Sequence, residues 1–175
     1  MELFYDVGSP YAYLAVERFE AVVGVRPVLS PVLLGGIFKS TGRSTWGRGE
    51  ERSARMADIA SRAVAAGLPP VVWPSKWPAD YLQAMRAVVW AGDDFAREAM
   101  RAAFSSGVDL SRIEVLRELG PPGLEEAIAD PSVKATLRAA TDRALSLGVI
   151  GVPTTRVGDE LYWGDDRLEE IAKVV

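Results

Sequence analysis

The sequence predicts an α/β fold in which a small sheet is interrupted by a large all-helical insertion. Three observations support this: a strand-like run at residues 2–7 leads directly into a helix, residues 35–129 are mostly helical in pattern, and two short strands precede a final helix. This is the element order of a thioredoxin fold interrupted by helices. We therefore expect residues 1–34 and 130–175 to form a thioredoxin-like domain and residues 35–129 to form a helical insertion domain.

The first helix has clear start and stop signals. Ser9 is a good N-cap, Pro10 stands at the first helical position, and Gly24 ends the run, which predicts a helix from Pro10 to Val23. After it, the stretch VRPVLSPVLL predicts a second extended segment, and its two prolines favour an edge position. The expected buried face of the helix comprises Leu14, Phe19, Val22 and Val23.

The later elements are predicted in the same way. EERSARMADIASRAVAAG, ADYLQAMRAVVWAG and DDFAREAMRAAFSSG are helical in pattern, and SRIE beginning at Ser111 is a capping box that predicts another helix. Asp130 and Pro131 are expected to open a long helix that stops near Gly148. TTRVG and ELYWG then predict an antiparallel hairpin, and DDRLEEIAKVV predicts a closing helix.

Composition excludes several classes of function. The chain has 175 residues, a net charge of −4 and dispersed basic residues, so we expect one compact protein that does not bind nucleic acid. It contains no cysteine and no histidine, which excludes dithiol redox cycling, Ser-His-Asp catalysis and the usual metal sites; we expect no metal. No signal peptide or membrane-spanning stretch is recognisable, so the expected location is the cytoplasm, with no membrane partner.

The N-terminus of the first helix is the first candidate site. Such a helix end stabilises an anion, and thioredoxin-like oxidoreductases place a reactive cysteine there, whereas this chain has Ser9. A thiolate at this position would have to come from a ligand, and the Ser9 hydroxyl could donate a hydrogen bond to its sulfur. The alternative is that Ser9 only caps its helix.

Two further candidates lie near the C-terminus. In thioredoxin-like proteins a cis-proline precedes the third strand and faces the active helix, so we expect Pro153 to be cis and Val152 to offer its backbone to a thiol peptide. Asp165 and Asp166 follow Gly164 at the start of the last helix. They could bind the ammonium group of an α-amino acid, or they could simply cap the helix.

Three segments in this order carry a resemblance to a known family: FYDVGSPYAYLA, GLPPVVWPSKWPADYLQAMRA and LGVIGVPTTRVGDELYWGDDRLEEI. They resemble the 2-hydroxychromene-2-carboxylate isomerases and the related kappa-class glutathione transferases, over nearly the whole chain. The resemblance implies a DsbA-like thioredoxin fold, glutathione as cofactor, a small aromatic or electrophilic substrate, and a homodimer.

The resemblance also assigns roles to residues of this chain. It implies that Ser9 bonds the glutathione sulfur, that Val152 and Pro153 pair with its cysteinyl part, and that Asp165 and Asp166 hold the γ-glutamyl headgroup. The thiolate would add to the substrate, allow rotation about a single bond and leave again.

The loop after the second strand departs from the family pattern. Family members often carry an Asn and a Lys here, whereas this chain has STGRSTWGRGEERSARM and no Asn at all. Arg43, Arg48 and Arg52 could instead hold the glycine carboxylate of glutathione or an acidic substrate, or they could form a solvated face. Trp46, with Trp73 and Trp77, could line an aromatic pocket or belong to the core.

Three functions stay open on the sequence. The first is a glutathione-dependent cis-trans isomerase acting on an intermediate of aromatic degradation. The second is a kappa-like transferase that conjugates glutathione to electrophiles. The third is a DsbA-like protein that binds a thiol or peptide without turnover.

Overall fold

A four-stranded mixed sheet organises the protein, whose computed structural model describes residues 1–175. The strands lie in the order β2-β1-β3-β4, with β1 parallel to β2 and antiparallel to β3, and β3 antiparallel to β4. The strands are β1 (Glu2–Tyr5), β2 (Val28–Pro31), β3 (Thr154–Val157) and β4 (Glu160–Trp163). The thioredoxin-like sheet and the predicted edge position of β2 are confirmed.

Nine α-helices surround this sheet. They are α1 (Pro10–Val23), α2 (Leu34–Thr41), α3 (Arg52–Ala65), α4 (Leu82–Ala91), α5 (Asp93–Ser106), α6 (Ile113–Leu119), α7 (Leu124–Ala129), α8 (Pro131–Ser146) and α9 (Leu168–Ile171), with 3₁₀ turns at Trp46–Arg48 and Asp165–Arg167. None of the helices combines the length and the apolar character needed to cross a lipid bilayer.

The predicted caps of two helices are confirmed. Ser9 precedes α1 with extended backbone and accepts a hydrogen bond from the Ala12 N–H, and Pro10 follows it. Asp130 caps α8 by accepting from the Ser132 N–H at 2.7 Å. Along α1, Val22 is only half-buried, while the other predicted apolar residues, Leu14, Phe19 and Val23, are buried.

Three sequence-based predictions of local structure are wrong. Ser111 does not cap α6: its hydroxyl donates to Asp109 at 2.6 Å, and the helix begins two residues later without a side-chain cap. The extended segment before α2 is shorter than expected, because Leu34 already begins that helix. The last helix ends at Ile171, since the exposed Val174 and Val175 have no core to pack against.

The main core is one cluster of 33 buried residues that draws on both predicted domains. Leu3, Tyr5 and Phe19 from the thioredoxin-like part pack in the same cluster as Met85 and Phe104 from the helical part. A second cluster of six residues lies on the other face of the sheet and includes Phe4, Ile37 and Val152. The division into two domains stays a prediction.

Candidate functional site

A cavity of about 580 Å³ lies where the N-terminus of α1 faces the segment before β3. Its volume is within the roughly 300–1,000 Å³ that is usual for small-molecule sites. Of the residues that the sequence proposed for a ligand site, seven line this one cavity although they are far apart along the chain. They are Ser9, Arg43, Trp46, Val152, Pro153, Asp165 and Asp166.

The α1 end of the cavity presents two free donors. Ser9 is buried, its oxygen accepts from Ala12 N–H at 3.2 Å, and its own proton has no acceptor within the protein. Pro10 has no N–H, and the Tyr11 N–H has no partner in the protein. An anion at this helix end would therefore meet a hydroxyl, an N–H group and the positive end of the helix dipole.

Across the cavity, Val152 offers a free length of main chain. The Val152–Pro153 peptide bond is cis, as predicted. Neither the N–H nor the C=O of Val152 has a hydrogen-bond partner in the protein, although the residue is only 7% exposed. Buried backbone groups are rarely left unpaired, so this stretch is suited to pair with a peptide-like ligand.

One carboxylate of the cavity wall has no salt-bridge partner. Asp166 lines it, is exposed, and forms no salt bridge within the protein. Gly164 makes room for it: its φ is +122°, and a Cβ there would lie 2.2 Å from Asp166 Oδ1. The Gly164 N–H donates to Pro153 O at 2.9 Å, which ties this acidic turn to the segment opposite α1.

Asp165 has a different environment from its neighbour. Its side chain is 1% exposed, and its two oxygens accept from Arg18 Nη1 at 3.2 Å and from Arg62 Nη1 at 3.0 Å. Burial raises the pKa of Asp165 above its ordinary value, while the two guanidinium groups oppose that shift. Arg62 also pairs with Asp58, and Arg18 with Glu169. Both oxygens of Asp165 are thus already engaged by the protein.

Another part of the cavity wall is cationic and aromatic. The Arg43 guanidinium lies 4.7 Å from the centroid of the Trp163 ring, and Arg43 forms no salt bridge. Arg55 lies 5.9 Å from the centroid of Trp46 and pairs with Glu51 at 2.6 Å. A cation stacked on an aromatic ring without a carboxylate partner stays available to an anion.

Two of the predicted arginines do not line the cavity. Arg52 Nη1 donates to the carbonyls of Gly47 and Trp77, at 2.5 and 2.9 Å, so it holds the preceding loop against the core. Arg48 is an exposed residue of the short 3₁₀ turn. Of the three arginines proposed for this loop, Arg43 alone reaches the cavity.

The tryptophans form a chain that runs from the cavity into the core. Trp46 lines the cavity, its ring centroid lies 4.8 Å from that of Trp77, and Trp77 lies 4.8 Å from Trp73. Trp77 is buried, and its Nε1–H donates to Gly8 O at 2.9 Å. Trp73 and Trp77 therefore belong to the packing behind the site and do not line it.

Sequence reasoning missed several cavity residues. Tyr11 stands two positions after Ser9, and its ring meets Trp46 edge-on at 5.9 Å, while Arg55 and Arg62 come from α3. Burial raises the pKa of the Tyr11 hydroxyl, so it stays protonated and can donate. The signal for Tyr11 was its place directly after Ser9-Pro10 in the segment FYDVGSPYAYLA, whereas nothing local distinguishes Arg55 and Arg62 from other helix-surface arginines.

Comparison with known proteins agrees with this architecture. The pattern of the DSBA-like thioredoxin domain family matches residues 1–175. Human glutathione S-transferase kappa 1 is 26% identical over 203 residues, covering 100% of this chain and 90% of that protein. The 2-hydroxychromene-2-carboxylate isomerase of Sphingobium xenophagum is 26% identical over 188 residues, covering 97% and 94%.

Solved structures show the same fold. The chain is similar to a 2-hydroxychromene-2-carboxylate isomerase with a TM-score of 0.83 at 19% identity, over 99% of this chain and 92% of that one. It is similar to a probable DsbA oxidoreductase from Streptomyces coelicolor with a TM-score of 0.73 at 20% identity, over 99% and 86%.

Proposed function

Since the chain belongs to the family of DSBA-like thioredoxin domains, we propose that it is a glutathione-dependent isomerase of the 2-hydroxychromene-2-carboxylate type, acting on intermediates of aromatic degradation. One observation carries the proposal: a buried Ser9 with a free hydroxyl proton faces the unpaired backbone of Val152 across a cavity, in a chain without any cysteine. This arrangement is suited to a thiolate that arrives with a ligand.

The charged side chains of the cavity favour a thiol that carries both an ammonium group and a carboxylate. Asp166 would bind an ammonium group, and Arg43 would bind a carboxylate. Val152 would pair with the peptide backbone of the ligand. Glutathione carries all of these groups: an ammonium group with a carboxylate at its γ-glutamyl end, two amide bonds, and a glycine carboxylate at its other end.

The protein's part in the reaction is to stabilise and orient charge. When bound, glutathione supplies a thiolate that adds to a conjugated double bond, permits rotation about the resulting single bond and is then eliminated. Ser9 O–H and Tyr11 N–H would hold the sulfur as an anion at the helix end. Trp46 and Trp163 would bound the space for a flat substrate, and Arg55 would face its developing negative charge.

A kappa-like glutathione transferase is the second candidate. The 26% identity to human glutathione S-transferase kappa 1 over the whole chain favours it as strongly as the comparison with the isomerase does. Both reactions use the same thiolate, and they differ in whether the sulfur leaves the product. The homodimer that the resemblance implies stays a prediction.

Turnover separates the candidates. We expect the purified protein to isomerise hydroxychromene carboxylate, followed by ultraviolet absorbance, only when glutathione is present, and to conjugate an aryl halide slowly or not at all. Conjugation without isomerisation would establish the transferase instead. No turnover in either assay, together with measurable glutathione binding, would establish the non-catalytic binder.

A further inference from the structure

We propose that Asp6 is a positioning residue of the thiol site: its buried carboxylate ties the loop that carries Ser9 to the first turn of α2 and thereby sets where the Ser9 hydroxyl meets a bound sulfur. That a sulfur binds beside Ser9 is part of the proposed function, on which this inference rests. The link between the loop and α2 rests on the geometry alone. Asp6 itself does not line the cavity.

Both oxygens of the carboxylate are engaged by backbone donors. Gly8 N–H donates to Oδ1 and Leu34 N–H donates to Oδ2, each at 2.8 Å. Gly8 directly precedes Ser9, and Leu34 is the first residue of α2 and lines the cavity. Asp6 therefore joins two pieces of the cavity wall, Ser9 and Leu34, that lie 25 positions apart in the sequence.

No other hydrogen bond makes this connection. The other hydrogen bonds of the loop lie within residues 6–13 or lead to a different part of the protein: Ser9 N–H donates to Asp6 O at 3.0 Å, Tyr13 N–H donates to Ser9 O at 3.0 Å, Val7 N–H donates to Met85 Sδ at 3.3 Å, and Trp77 Nε1–H donates to Gly8 O. At the start of α2, Leu33 N–H donates to Thr141 Oγ1. Between the loop of residues 6–9 and α2, the Asp6–Leu34 bond is the sole hydrogen bond.

Space around the loop is also restricted. A Cβ on Gly8 would lie 2.2 Å from Cδ2 of the Tyr81 ring, so the loop cannot move toward that ring. Toward α2, the loop is held by the bond between Asp6 and Leu34 N–H. A shift of one ångström in a catalytic group is enough to lower a rate by about a hundredfold.

The bridge needs an ionised carboxylate, because a protonated one has only one good acceptor oxygen. Asp6 forms no salt bridge, and both of its hydrogen-bond donors are backbone N–H groups. The titratable groups that face it are Asp80 and Tyr81 on the segment before α4, and Tyr5 on β1. Burial raises the pKa of Asp6 to about 6, so the bridge is intact at neutral pH and is lost in mild acid.

Asp6→Asn tests the inference, because it keeps the size of the side chain and turns one acceptor into a donor. Asp109→Asn is the matched control: that carboxylate also accepts from a backbone N–H, of Ser111 at 3.0 Å, and does not line the cavity. We expect Asp6→Asn to lower kcat about tenfold or more while KM for glutathione changes less than about threefold. The control should change neither.

The pH dependence separates positioning from a general loss of structure. The ratio of wild-type to Asp6→Asn kcat should be largest above about pH 7 and should fall toward one below about pH 6, because the wild-type bridge is then protonated as well. A ratio that stays constant across this range, with both proteins folded by circular dichroism, would overturn the inference.

A measurement made without glutathione tests the role of Asp6 independently of the proposed function. Amide hydrogen exchange at Gly8, Leu34 and Ala12 should be about tenfold faster or more in Asp6→Asn than in wild type and in the control, since Ala12 N–H reports the position of Ser9 Oγ. If the wild type shows no glutathione-dependent turnover, the proposed function fails, and the hydrogen-exchange rates alone then test whether Asp6 positions the loop. Unchanged exchange at all three amides would refute the role of Asp6.

Discussion

Replacing Ser9 with alanine removes one hydroxyl group that contributes separately to folding and to the site. As an acceptor, Ser9 Oγ caps α1 through the Ala12 N–H at 3.2 Å. As a donor, its proton is free and faces the cavity. The two losses have different sizes, so a single variant distinguishes a helix cap from a thiolate ligand.

The folding cost should be small. Loss of an N-cap costs about 1 kcal/mol, and the bond here is long for a hydrogen bond. In a protein of this size, such a loss lowers the melting temperature by roughly 2–4 °C. The overall fold of Ser9→Ala should therefore be intact at room temperature.

The cost at the site should be larger. Ser9 is one of two free donors at this helix end, the other being the Tyr11 N–H. A hydrogen bond to a charged group contributes roughly 1.5–3 kcal/mol, which corresponds to a rise of about one to two units in the pKa of the bound thiol. Turnover at neutral pH should fall by about one to three orders of magnitude.

The assay measures kcat for glutathione-dependent isomerisation as a function of pH, the ultraviolet absorbance of the bound thiolate, and the melting temperature. Asp130→Ala is the control, because it removes an N-cap bond of 2.7 Å from α8 and does not line the cavity. It should lower the melting temperature and leave the pH profile unchanged. If Ser9→Ala behaves like this control, with full activity and an unshifted thiol pKa, Ser9 is only a cap.

Three further predictions concern the carboxylates. Asp166→Ala should weaken glutathione binding about tenfold or more with a loss of only a few degrees in melting temperature, because a bond to a ligand ammonium outweighs a surface dipole interaction; calorimetry with des-amino glutathione checks this, and a variant that still prefers glutathione would contradict it. Asp165→Ala should cost about 1.5–3 kcal/mol in urea unfolding, because it removes the buried carboxylate that accepts from both Arg18 and Arg62, although each arginine keeps one other carboxylate partner; a loss below about 1 kcal/mol would show that the pairs are not stabilising. For Asp6, the folded-state pKa of about 6 lies above the unfolded value of 3.8, so the native state binds the extra proton between these values and its stability falls as pH rises through them. The free energy of unfolding of wild type minus that of Asp6→Asn should therefore fall by about 3 kcal/mol from about pH 4 to 7, and a flat difference would show that Asp6 is not shifted.

Local signals made the sheet and the flanks of the site predictable. Ser9 with Pro10 and Asp130 with Pro131 act on the next turn of their own helices, so their effect is contained in four or five consecutive residues. The hairpin depends on the two-residue turn at Gly158 and Asp159, which is equally local. The resemblance supplied the arrangement of these parts in space.

The errors arose where distant residues decide the structure. Leu34 begins α2 without a capping side chain of its own, because Asp6 and Thr141 supply the acceptors for its first N–H groups from far along the chain. Ser111 does not cap α6 because its hydroxyl donates a hydrogen bond to Asp109 instead. Arg62 meets Asp165 across 103 residues of sequence, and no local pattern on α3 signals that contact.

The chain of tryptophans gives the protein an optical property. Electronic transitions of indole rings whose centroids are 4.8 Å apart couple to one another, so Trp46, Trp77 and Trp73 absorb and emit as a group. Trp77, the middle ring, is held in place by its bond to Gly8 O. Because the terminal ring of the group bounds the cavity, a molecule that enters beside Trp46 alters the near-ultraviolet dichroism of the whole group. Occupancy of the cavity can thus be followed in the native protein without any added chromophore.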